Sequence, residues 1–162
     1  MESGSRPCHG SSHSTSRPFG RTWNGPGLRS GHEASVNESE TLLRFARPQD
    51  WDADGMPSSA ALSLKRGENG LSVYLNDLLS TRGLGPSDVI ANRPGYGVFG
   101  MAAFDVISGG CRAELDPLTD DHPIEIGFAH GLVHPLDDKL AWKLPRHSLL
   151  ANAVIKVAAA RG

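Results

Sequence analysis

The chain has 162 residues, and its 16 Lys+Arg against 18 Asp+Glu leave a formal charge of −2. That is the length of one ordinary domain, with no basic footprint for nucleic acid or an anionic membrane. Its two cysteines, Cys8 and Cys111, are too few for a disulfide scaffold or a cysteine-built zinc site, and no apolar run reaches the roughly 18–20 residues of a membrane span.

The first forty residues hold nine Ser, six Gly and three Pro and only seven hydrophobic residues. Such a segment buries too little apolar surface to offset its ordering entropy, so residues 1–40 read as a disordered tail. Residues 3–32 carry four Arg and no acid, as a transit peptide does, but the recurring Gly and Pro oppose the amphipathic helix such a peptide needs. A regulatory tail and an over-extended gene start, with translation beginning near Val36, are the other readings.

Residues 41–162 read as a single α+β domain: a small mixed, mainly antiparallel sheet with two short helices and a C-terminal amphipathic helix packed on it. Residues 42–47 form the expected first strand, stopped by Pro48. After a polar loop, residues 58–64 alternate small and apolar side chains, and residues 66–70 make a turn into a strand over residues 71–75, a hairpin pattern. Asn76 or Asp77 caps a short helix that stops at Gly83. Residues 89–91 precede a strand over 96–101. A short helix over 102–108 ends at Gly109-Gly110, and a strand follows over 111–115. Residues 124–133 alternate as a strand, which puts Ile126, Phe128, His130, Leu132 and His134 on one face. Pro145 suits a first helical turn, and Leu149, Leu150, Ala153, Val154 and Val157 follow at helical spacing.

Several short patterns suggest chemistry. Gly95, Gly97 and Gly100 spell G-x-G-x-x-G, the arrangement that lets a backbone approach a dinucleotide pyrophosphate at a helix N-terminus. Asn92-Arg93-Pro94 separates them from the strand read at residues 89–91, and too little chain follows for further βαβ units. Asp50, Asp52, Asp54 and Gly55 open like a calcium loop, yet the twelfth position is Ala61 rather than Glu. His130 and His134 on one strand sit about 13 Å apart by strand rise and cannot share an ion, and His122 adds little, so no metal site is expected. Asp120-Asp121 and Asp137-Asp138 read as loop solvation, and Trp51 and Trp142 as caps on the core. His130, flanked by Ala129 and Gly131, is either a satisfied core histidine or part of a pocket with Arg44 or Arg47 and Ser58 or Ser59. Such a pocket could hold an anion or move a proton. No serine lies in a G-x-S-x-G elbow.

Taken together, Arg44, Trp51, Gly55-Met-Pro57-Ser58-Ser59-Ala60-Ala61, Gly70-Leu71-Ser72-Val73, Asp116-Pro117 and Ala129-His130-Gly131 resemble a family of small uncharacterised bacterial proteins. The resemblance covers about residues 42–160 and singles out Arg44, Ser58, Ser59, Ser72 and His130. An early-strand Arg, a following Ser and a late Glu are also distantly similar to ADP-ribosyltransferase-like folds. Ser58-Ser59-Ala60 departs from their Ser-Thr-Ser, and neither Glu114 nor Glu125 sits in their paired motif. With no complete catalytic constellation, the expectation is a cytoplasmic accessory module that binds another protein, with no cofactor. The alternative is a nucleotide-handling enzyme built on Arg44, Ser58 or Ser59, His130 and a late Glu.

Overall fold

A computed structural model of the chain describes residues 35–64, 68, 70–118, 124–136 and 143–160, all within one unit spanning Glu33–Gly162. Its frame is an antiparallel sheet whose six strands run in the order β4-β5-β2-β1-β3-β6. These are β1 (Thr41–Ala46), β2 (Leu71–Leu75), β3 (Gly97–Ala102), β4 (Cys111–Leu115), β5 (His130–Pro135) and β6 (Val154–Val157). Among the described residues four α-helices accompany them: α1 (Asn76–Ser80), α2 (Ala103–Ser108), α3 (Ile124–Gly127) and α4 (Lys143–Ala151). Among the described residues no helix is long and apolar enough to cross a membrane.

Strand alternation divides the core into two. Leu42, Ala46, Leu71, Val73, Phe99 and Met101 project to one face, where Leu62 and Leu149 pack on them. Leu43, Tyr74 and Val98 project to the other and meet Leu79, Val89, Ile126 and Ala129. Burial on both sides explains why these central strands read as nearly continuous apolar runs.

Most expected strands stand where the sequence places them, and four features differ. Residues 58–64 do not pair with β2. They form a 3-10 turn at Ser59–Leu62, and β2 pairs instead with β1 (Leu42 opposite Leu75) and β5 (Tyr74 opposite His130). Small residues after Ser58 favour this turn, because the Ser58 hydroxyl accepts from the Ala60 N–H at 3.3 Å and caps it.

Residues 124–129 are also not strand. They turn through α3, with Ile126 and Ala129 buried three residues apart, and the strand begins only at His130. Gly127 permits this turn: a Cβ there would lie 2.6 Å from the Leu118 carbonyl oxygen. The expected C-terminal helix ends at Ala151, and residues Val154–Val157 become the edge strand beside β3. Three of those four residues are β-branched, which favours a strand once the chain has passed Asn152. Finally, residues 89–91 lie at a 3-10 turn, Asp88–Ile90, rather than a strand.

Residues 35–40, grouped by composition with the tail, belong to the fold. Ser35 bridges to Glu114, the Val36 N–H donates to the Ala113 carbonyl at 3.2 Å, and Val36 and Glu40 are buried. Residues 1–34, most of the expected turn at 66–70, Asp120-Asp121, His122, Asp137-Asp138 and Trp142 lie outside the described residues.

Candidate functional site

Arg44 sits where two strands part. The β1–β2 pairing runs from Leu42 and Leu75 to Leu43 and Tyr74, and the next β1 residue is Arg44. Its guanidinium spans the resulting gap: Nε–H donates to the Ala61 carbonyl at 3.2 Å and Nη1 to the Ser72 carbonyl at 2.9 Å. Burial brings its pKa down to about 10, against the opposing pull of Glu68 and Asp50, so it stays charged at neutral pH. A hollow of about 110 Å³ lies beside it, lined among others by Asp50, Ser63 and Tyr96. Arg47 is occupied at its mouth, in a two-point pair with Asp50 at 3.0 and 3.2 Å.

The two candidate serines lie near Arg44 in the chain's path, on the turn whose Ala61 carbonyl it binds. Ser58 is engaged as the turn's cap. Ser59 is exposed, and its carbonyl accepts from the Ser63 hydroxyl at 3.4 Å. Ser72, in β2, contributes its carbonyl to Arg44.

His130 is on the other side of the sheet. It stands opposite Tyr74, and Tyr74 opposite Leu43, so all three share one face while the adjacent Arg44 projects from the other. The residue is only 4 % exposed. Its Nδ1 lies 2.7 Å from the Asp116 carbonyl oxygen, which can only accept, so Nδ1 carries the proton. Tyr74 meets the ring edge-on at 5.6 Å. Asp116 also brings a carboxylate oxygen to 3.4 Å of Nδ1. Further along β5, His134 Nε2 lies 2.7 Å from Glu114 Oε1. The sheet itself therefore separates the expected Arg44–serine–His130 grouping: Arg44 and the serine turn are neighbours, and His130 is not among them.

The three glycines make no turn between a strand and a helix. Gly97 and Gly100 are inside β3, whose backbone pairs with β1 and β6 on its two sides. Their missing side chains serve packing: a Cβ on Gly97 would stand 2.4 Å from the Trp51 ring, and one on Gly100 would stand 2.9 Å from Thr41. Gly95 takes a positive φ of 80° before the strand. Trp51 caps the core as expected, edge-on to Phe99 at 6.1 Å with its indole N–H on the Ala46 carbonyl. In the acidic loop, Asp52 Oδ1 accepts from the Asp54 and Met56 N–H groups at 3.0 and 2.8 Å and closes a local turn.

A different concavity is much larger. Met56, Pro57 and Ser59 form one wall and Arg146, His147, Leu150 and Ala151 of α4 the other, around an open groove of about 580 Å³. On α4 these fall at i, i+1, i+4 and i+5, one helical face, whereas Leu149 turns into the core at 2 % exposure. Met56 is 39 % exposed, an apolar side chain open to solvent on the groove wall. The Arg146 Nε is buried without a hydrogen-bond partner. None of these α4 residues except Leu150 figures in the sequence reading, which followed only the stripe facing the core. A second amphipathic stripe on the same helix was the available signal. Compared with protein-family models, curated proteins and solved structures, the chain matches none.

Proposed function

We propose that this domain acts by binding another protein, with the groove between residues 56–59 and α4 as its docking site. The observation that carries the reading is the groove itself: about 580 Å³, largely apolar at Met56, Pro57, Leu150 and Ala151, with Ser59, Arg146 and His147 as the polar part of its lining. An open groove with apolar walls on a helix face is the kind of surface that takes an apolar segment of another protein. The residues best suited to chemistry are engaged elsewhere: Arg44 with two carbonyls, Ser58 as a cap and His130 on the far face. The hollow beside Arg44, about 110 Å³, falls below the roughly 300–1,000 Å³ of small-molecule sites, and so gives a nucleotide little room.

A photo-crosslinking amino acid placed at Ala151, in the groove, tests the reading in the cells that make the protein. A defined polypeptide should be captured from that position and not from Ser80, exposed on α1. Equal capture from both positions, or none from Ala151, contradicts it.

A further inference from the structure

Among the described residues the ionisable groups lining the groove are Arg146 and His147, both basic. Arg146 Nε is buried and finds no acceptor among the described residues. A buried cationic donor without a partner costs more than a neutral one, and a carboxylate is the acceptor that best satisfies a guanidinium. The rest of the lining is apolar or small: Met56, Pro57, Leu150 and Ala151, with the exposed Ser59 at the edge.

From this juxtaposition we infer that the occupant is an apolar peptide segment of a partner protein bearing an Asp or Glu side chain that meets Arg146. The inference rests on the binding reading and adds the partner's chemistry to it. The segment's apolar side chains cover Met56 and Leu150, and its carboxylate accepts from Arg146 at the inner wall. The chain's own residues 1–34 are poorly suited, since they carry four Arg against Glu2 and Glu33 and would bring positive charge to a basic groove.

Random dodecapeptides displayed on phage, selected against the full chain and rebound as synthetic peptides, test this. Selected sequences should combine Leu, Ile, Met or Phe with at least one Asp or Glu. Ala151→Glu should abolish their binding. Arg146→Gln should weaken it about tenfold or more, and Arg146→Lys should recover part of that loss. Circular dichroism melts establish that each variant is folded, and Ala151, being exposed, is the substitution least able to disturb the core. Groove-dependent peptides that lack acids and ignore Arg146→Gln would overturn the acidic partner while leaving the binding reading intact. A consensus matching this chain, with concentration-dependent dimers, would overturn it in favour of a second copy. Selection of no peptide that Ala151→Glu displaces would overturn both readings.

Discussion

Glu40 joins two parts of the fold through one carboxylate oxygen. Its Oε1 accepts from the Thr41 N–H and from the Asp77 N–H, each at 2.9 Å, and so satisfies a donor in the first turn of α1 from outside that helix. Burial pushes the carboxyl pKa up and the nearby Asp77 charge adds to it, while the N–H donors pull the other way. A carboxyl with a raised folded pKa contributes stability that is complete below its unfolded pKa and is lost as pH rises through the folded one. Glu40→Gln keeps an acceptor and removes the charge. The variant should equal or exceed the wild type at neutral pH, and its margin should shrink as pH falls through the ordinary carboxyl range of about 4–5. Urea denaturation of both proteins across that range checks this, and a margin that does not change with pH contradicts it. Glu40→Ala, which strands both N–H groups, should cost about 1–3 kcal/mol. Composition assigned Glu40 to a tail because its role depends on a partner 37 positions away, and nothing local records that.

Arg44 was legible as special, since a cation in an apolar strand demands a reason, but its partners were not. Carbonyls at Ala61 and Ser72 leave no trace in side-chain identity. Arg44→Met preserves bulk, removes both donors and should destabilise by about 1–3 kcal/mol, offset in part by removal of a desolvated charge. Groove peptides should bind this variant as they bind the wild type, because Arg44 is absent from the groove lining.

At the scale of elements, the G-x-G-x-x-G run is informative for a different reason than the dinucleotide pattern supplies. Gly97 lets Trp51 and the segment around Ala159 lie directly against β3. Gly97→Ala should therefore cost about 1–3 kcal/mol by overpacking, whereas Gly85→Ala, with open space around its Cβ position and no positive φ, should be nearly neutral in chemical denaturation. Equal costs would refute this packing role.

The short strands β1 to β3 were readable because each carries β-branched and aromatic residues between clear stops, and β4 because Arg112 and Glu114 alternate with Cys111, Ala113 and Leu115. Two of the elements that differed, residues 124–129 and 154–157, are brief apolar runs that fit either period. Tertiary closeness decided them: Gly127 folds onto Leu118, and β6 finds an open edge of β3.

Across the whole molecule, the sheet is a partition. Arg44 and the serine turn face one layer, and His130 with Tyr74 faces the other. Residues that look like one site in a linear sequence are kept apart by a buried wall, because adjacent strand positions project oppositely. The groove, in contrast, joins residues 56–59 to residues 146–151, some ninety positions apart. Sequence patterns marked one wall only as the end of a loop and the start of a hairpin, and the other only as a helix.

Native mass spectrometry of the full chain, purified gently from the cells that make it, tests the central claim most directly when wild type is run beside Ala151→Glu. A second polypeptide travelling with the wild type and missing from the variant is the predicted result. A wild type that carries a nucleotide-sized adduct and no polypeptide, with the adduct retained by Ala151→Glu and lost on Arg44→Met, would contradict the account.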